Sequence, residues 1–320
     1  YHMMTRVIDV STRPGVQEVG AKVRAEYDIP TDAWYFEDNR NGAMPFAVLS
    51  EIALQPCGWL ASHCGFALSG NLKFRNLEGD GVLHRELSPD DGTMVVESEL
   101  TAFSRVGPMT IVTFSVVVTL ASGEPVLDLT TQFGFFPAAA LVRQAGLSAK
   151  PHFSAAFDLP GEKVKTRMIE KRLAGGKMRM MDAVDYFNPT GGEAGLGLIR
   201  QAVDPNAWYF KAHFYQDPVQ PGSLGLDALA QLLARAILLK GLDEGMSDPH
   251  FETIATGAPF KWSYRGQVTP DKKEVVTVME IVSIEKRDKG WLVTARGSLW
   301  RDGLRVYEVG PYSLALVDKG

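Results

Sequence analysis

A chain of 320 residues, 45% hydrophobic and 22% charged, has material for a sizeable core, either as two domains or as one domain built from two similar halves. A net charge of −5, a pI near 5.8 and the lack of a basic run exclude nucleic acid as a partner and suit a soluble protein of the cytoplasm. Two cysteines, Cys57 and Cys64, both in one predicted helix, give neither a disulfide framework nor a metal set, so they read as small buried side chains in a reducing compartment. Neither a membrane span nor a signal peptide is read, and the opening YHMM reads as an appended tag with no part in the fold.

In chain order, residues 5–30 are polar with apolar alternation in TRVIDVS and predict an opening strand. AWYF (33–36) and a polar loop lead to a long apolar segment of helical period, preceded by Pro45 and ending near Gly65, with Pro56 inside it expected to kink or loosen it. From Gly70 to Pro137 the period changes to that of strands: GNLKFRNLEG, TMVVESELTAFSRV, MTIVTFSVVVTL, a turn at ASGE, and PVLDLTTQFGFF. Residues 138–175 lose the pattern and read as a connector. A second opening strand (Met178 to Phe187) then leads to TGG, AWYF (207–210), a helix from Gly222 to about Gly241, and strands in APFKWSYRGQV, KEVVTVMEIVSIEK, GWLVTARGSLWRDG and RVYEVGPYSLALV.

The second half repeats the first. The two AWYF segments correspond, as do Pro45 and Pro221, Glu51 and Asp227, and Gln55 and Gln231, with six residues from proline to acid and four from acid to glutamine in each half. A tandem duplication of a helix-plus-sheet unit accounts for this. The division expected is 5–145, a connector 146–175, and 176–320.

The densest chemistry lies between Trp208 and Leu233, WYFKAHFYQDPVQPGSLGLDALAQLL, read as a strand, turn and helix. Pro221 and Gly222 stop an extended segment where a helix begins, with Ser223 as a candidate cap. The helix N-terminus therefore lies close behind His213, and its free amides, Gly222 foremost, can hold a carbonyl oxygen as negative charge develops. Asp227 and Gln231, four apart, project from one helix face. A lone histidine is usually a core residue; the acid, amide and glycine turn beside this one favour a site. His63 and His84 have no such context and read as structural.

HFYQDPVQPGSLGLDALAQL resembles the helix motif of the 3-hydroxydecanoyl-ACP dehydratase/isomerase (FabA-like) family, and MRMMDAVDYFNPTGG (178–192) and AWYFKAHF (207–214) match its approach to the histidine. With EIALQPCGWLASHCG (51–65), the chain resembles a dehydratase domain of a polyunsaturated fatty acid synthase. This resemblance implies an α+β double hotdog: two long helices, each wrapped by an antiparallel sheet, as a covalent pseudo-dimer. It also implies dehydration of 3-hydroxyacyl-ACP to the trans-2-enoyl form, with or without 2-trans to 3-cis isomerisation, with no metal or other cofactor. The partners implied are an acyl carrier protein and the other domains of a synthase; an internal pseudo-dimer leaves a homodimer open.

Relatives with a single hotdog build each site across a dimer interface. Carried over, His213 should face Glu51 and Gln55 of the first half, while Asp227 and Gln231 face a position with no histidine. Glu51 stands where the family carries aspartate, which bears on isomerisation. Phe214, Tyr215 and Trp59 are expected to line the acyl tunnel, and Lys211 or Arg265 to meet the carrier's phosphate. The competing expectations are a hotdog thioesterase, which would not need His213, and a non-catalytic acyl-binding module.

Overall fold

The computed structural model describes residues 2–68, 71–148 and 173–320, so most of the expected connector lies outside the described residues. Its two long helices have the same build. Helix α2 (Phe46–His63) and helix α5 (Gly222–Leu239) each run 18 residues and each begin at a proline, Pro45 and Pro221. Proline suits that place because the first helical turn needs no amide donor from it. Both helices are buried around most of their circumference, as a helix inside a curled sheet must be. Helix α2 continues through Pro56. Helix α5 is long and apolar enough to cross a membrane, against the sequence expectation of no such run, but it is mostly buried under the sheet and is a core helix.

The strands are β1 (Arg6–Val10), β2 (Lys22–Asp28), β3 (Leu72–Leu83), β4 (Thr93–Val106), β5 (Met109–Leu120), β6 (Pro125–Pro137), β7 (Tyr186–Asn188), β8 (Leu196–Ala202), β9 (Pro249–Phe251), β10 (Pro259–Tyr264), β11 (Glu274–Arg287), β12 (Gly290–Arg301) and β13 (Leu304–Asp318). They form one continuous sheet, β1-β2-β4-β5-β6-β3-β10-β13-β12-β11-β8-β7, with β9 added on β13. The order is a palindrome: β1, β2, β4, β5, β6 and β3 map onto β7, β8, β11, β12, β13 and β10 about the seam between β3 and β10. That seam is antiparallel, pairing Trp262 with Gly79 and Pro259 with Val82. A Cβ at Gly79 would lie 2.4 Å from the Trp262 ring, so the seam requires glycine there.

Five readings of the sequence change. Residues 5–30 supply two strands, β1 and β2, with a bulge in their pairing. Both AWYF segments form short helices, α1 (Trp34–Asn39) and α4 (Trp208–Ala212), so the approach to His213 is helical and not a strand. The second opening strand is only Tyr186–Asn188, after a 3-10 turn at Gly176–Met178, and β8 follows it unannounced by the sequence. A short helix α3 (Ala138–Val142) follows β6. Met3, in the segment read as a tag, is buried, and its amide donates to Gln55 Oε1 at 2.9 Å. Met180 N meets Gln231 Oε1 at 3.0 Å in the other half, so the repeat extends to these glutamines.

Candidate active site

The halves meet around a cavity of about 370 Å³ that runs beside α2. Leu54, Gly58, Leu72, Phe74, Phe133 and Phe135 give it a mainly apolar wall, and at one end stand Glu51 from the first half and His213, Gly222 and Ser223 from the second. Its shape suits an apolar chain whose reactive end lies between the two halves.

His213 ends α4, and its ring packs on Phe214 with centroids 3.8 Å apart. Nδ1 lies 3.0 Å from the Val219 carbonyl oxygen. A carbonyl only accepts, so Nδ1 carries the hydrogen and Nε2 of the neutral ring keeps a free lone pair. Burial pushes the imidazole pKa below its ordinary value; the Glu51 charge opposes this and Arg75 adds to it. The ring is therefore neutral near pH 7 and able to accept a proton.

Glu51 is buried, 8% exposed, and Oε1 accepts a hydrogen bond from the Ser223 hydroxyl at 2.8 Å. Ser223 thus tethers the carboxyl of one half to the helix N-terminus of the other and caps nothing, since α5 has no side-chain cap. Gly222, the first residue of α5, lines the cavity, and no acceptor for its amide is found among the described residues. A Cβ there would stand 2.5 Å from the Tyr264 ring, so that ring can close over the helix start only above a glycine. The Tyr264 hydroxyl pKa is raised by burial, then by Tyr307 and Glu51, which keeps it a neutral donor beside the carboxyl.

Asp227 does not line this cavity. It faces a space of about 50 Å³ shared with Asn39, Asn41 and Gln231, the counterpart site of the repeat. Counted from either end, the residue standing for His213 is Asn39: each lies six positions after the alanine of AWYF. Asn39 Nδ2 donates to the Ala43 carbonyl at 2.8 Å, and Ala43, like Val219, is two residues before the helix proline. The amide thus reproduces the histidine's structural hydrogen bond and lacks its basic lone pair. Gln231 Nε2 donates to Asp227 Oδ2 and to the Met178 carbonyl, both at 2.7 Å, so it serves the counterpart site and not the His213 cavity. Gln55 lines the His213 cavity with its carbonyl oxygen engaged by Met3.

Burial pushes the Asp227 carboxyl up to about 7, with the Gln231 hydrogen bond opposing. Between the unfolded value of about 4 and 7, the folded chain keeps a proton that the unfolded chain has lost, so stability falls as pH rises through that window. Asp227→Asn should therefore raise the melting temperature by several degrees at pH 8 and leave it unchanged at pH 4; an equal shift at both values would contradict this.

Of the residues expected to line the tunnel, Phe214 does so, whereas Tyr215 is 91% exposed and Trp59 stacks on His63 at 5.0 Å outside the cavity. Lys211 is exposed and away from it, and Arg265 is engaged by Glu78 at 2.7 Å. His63 Nε2 lies 2.9 Å from the Thr12 carbonyl, and His84 meets Asp128 at 2.9 Å. Both cysteines are free and buried, the Cys57 thiol pushed up to about 12 by burial. No group of three or more His, Cys, Asp or Glu converges among the described residues.

One contact beside the site has no sequence signal. Arg75, 8% exposed on β3, grips Asp217 with both guanidinium nitrogens at 2.7 and 2.9 Å and donates to Gln267 at 2.6 Å. Asp217 lies in the turn after His213, so a strand of the first half holds the histidine loop of the second. Truncating one partner of such a pair leaves the other charge buried and the loop loose. Asp217→Asn is expected to lower kcat roughly ten- to a hundred-fold with little change in KM, and Arg75→Lys to recover only part of what Arg75→Gln loses. Full activity in both Asp217→Asn and Arg75→Gln would contradict that role.

Two hotdog units joined through one sheet, with an imidazole of one facing the same cavity as a carboxyl of the other, define a double-hotdog protein. Within that class, the C-terminal half is a FabA-like domain: the family model matches residues 173–310. Over 339 aligned residues the chain is 32% identical to a polyunsaturated fatty acid synthase of Thraustochytrium sp., covering 96% of this chain and 22% of that much longer relative. Among solved structures, GphF dehydratase 1 superposes with a TM-score of 0.55 at 14% identity, covering 99% of both chains. The 12:0-ACP thioesterase of Umbellularia californica superposes with a TM-score of 0.51 at 14% identity, covering 93% of this chain and 94% of its own. Both share the double-hotdog fold.

Proposed function

We propose that the chain dehydrates a 3-hydroxyacyl thioester, carried by the phosphopantetheine arm of an acyl carrier protein, to the trans-2-enoyl thioester within a multidomain polyunsaturated fatty acid or polyketide-like synthase. The observation that carries this reading is a neutral imidazole with Nε2 free, sharing an apolar cavity with the Glu51 carboxyl and with the bare amide of a helix N-terminus. In the reaction, His213 Nε2 takes a proton from C2 and the Gly222 amide holds the thioester oxygen as charge builds on it, a contribution of about 3 kcal/mol for such a donor. Glu51, steadied by Ser223, delivers a proton to the C3 hydroxyl, which leaves as water as the C2–C3 double bond forms. The proton on the imidazole then returns to the carboxyl, directly or through one water. The reaction as written draws on no cofactor.

The resemblance of the Glu51 and His213 segments to FabA-like dehydratases, and the FabA-like domain itself, support this reading. The counterpart site has Asn39 for histidine and little room, so it plays no part in the chemistry. A 3-hydroxyacyl N-acetylcysteamine thioester incubated with the protein should yield enoyl thioester by mass spectrometry. Release of free 3-hydroxy acid instead would make the protein a thioesterase.

A further inference from the structure

A second chamber of about 380 Å³ lies inside the C-terminal half, between α5, its sheet and α4, and Gln220 lines both this chamber and the His213 cavity. The repeat supplies its own control for what this space is. In the first half the equivalent space is packed solid: Tyr27 and Tyr35 are 8% and 2% exposed and their hydroxyls meet at 3.2 Å, with Met44, Ile52 and Val96 buried around them.

Each of these positions has a defined partner in the second half. Tyr27 and Gln201 each lie six residues before the alanine of AWYF, Met44 and Gln220 each precede the helix proline, and Ile52 and Ala228 each follow the helix acid. Tyr27 pairs with Met94 and Gln201 with Val275, which sets Val96 against Thr277 two residues further along. The half that carries His213 has therefore exchanged tyrosine for glutamine, methionine for glutamine, valine for threonine and isoleucine for alanine around one space. Every exchange makes the lining smaller or more polar, and together they open a polar chamber where a packed core could stand.

Thr277 is fully buried, and its hydroxyl has no protein partner. A buried hydroxyl left bare costs about 1–3 kcal/mol, and a chamber this large with glutamine, threonine and tyrosine in its wall satisfies such a group with water. Its outer end reaches exposed Lys177, Arg179, Asp204 and Asn206, and its inner end is Gln220 behind the histidine turn.

Building on the dehydratase reading, we propose that this chamber is a water channel: the water eliminated from the substrate leaves through it past Gln220, and water for the reverse hydration enters the same way. The need follows from the shape of the site. When an acyl chain fills the apolar cavity, water formed at its reactive end cannot leave along the chain.

The test restores first-half packing in the full chain with Gln201→Tyr, Ala228→Ile and Thr277→Val together, none of which touches the residues assigned to the chemistry. With an N-acetylcysteamine thioester, dehydration and the reverse hydration should both slow by about ten-fold or more, with KM changed less than about two-fold and melting temperature kept or raised. Turnover within about two-fold of the unaltered chain, in a variant that keeps its melting temperature, overturns the channel. Should the triple variant melt early, Gln201→Tyr alone carries the test with the same two readings, since the fold already holds a tyrosine ring at residue 27. Failure of the dehydratase reading would show differently, as no enoyl product from the unaltered chain.

Discussion

His213→Ala is expected to lose dehydration by at least about a thousand-fold while the fold is kept, because the base that takes the C2 proton has no substitute in the cavity. The repeat offers a sharper version of the same experiment. Asn39 occupies the histidine's place in the first half and makes the histidine's hydrogen bond, to the carbonyl two residues before the helix proline. His213→Asn should therefore hold the loop as Asn39 does, with an unchanged melting temperature, and still lose activity to the same extent as alanine. If His213→Asn kept more than about a tenth of the turnover, the ring would be a structural element and proton abstraction would lie elsewhere.

Glu51→Gln and Asp227→Asn should differ widely. Glu51 shares the cavity with His213 and is held by Ser223 of the opposite helix, so Glu51→Gln should cost about a hundred-fold or more in kcat. Asp227 lies in the small counterpart space beside Asn39, and its conversion to asparagine should change kcat by less than about three-fold. The opposite ranking would mean that acid and base are paired within one half. Glu51→Gln also carries a pH signature. The Glu51 charge raises the His213 pKa against burial, so removing it should move the acid limb of the residual kcat/KM profile to lower pH.

The duplication was legible because matched spacings do not depend on how the chain folds: proline to acid to glutamine recurs in both halves, and both segments form helices of equal length. The alternating β-branched runs from Thr93 and Glu274 likewise became long strands. Legibility stopped where packing decided the outcome. AWYF has aromatic residues favourable to a strand, but each copy forms a short helix that drives its tyrosine and phenylalanine inward. Leu196–Ala202 has glycine within it and no sharp alternation, and it becomes β8 because β11 offers it a full ladder.

At the site, the sequence brought His213, Glu51 and Gly222 forward through their spacing and resemblance, and the structure places all three on one cavity. Tyr215 failed as a wall residue because the turn after Phe214 carries it outward. Ser223, Tyr264, Arg75 and Asp217 reach the site or its loop only through contacts between halves far apart in sequence, which no local pattern announces. Asn39 could have been found by counting from AWYF in the first half as in the second, but an asparagine before a turn reads as ordinary turn chemistry.

Dehydration by this pair can be followed directly with a 3-hydroxyacyl thioester bearing two deuterons at C2. The unaltered protein should convert it to an enoyl thioester that has lost one deuteron, and Asp227→Asn should do so at nearly the same rate, whereas His213→Asn and Glu51→Gln should leave both deuterons and the hydroxyl in place. Loss of label at an unchanged rate in His213→Asn, or free acid that retains both deuterons, would contradict the account.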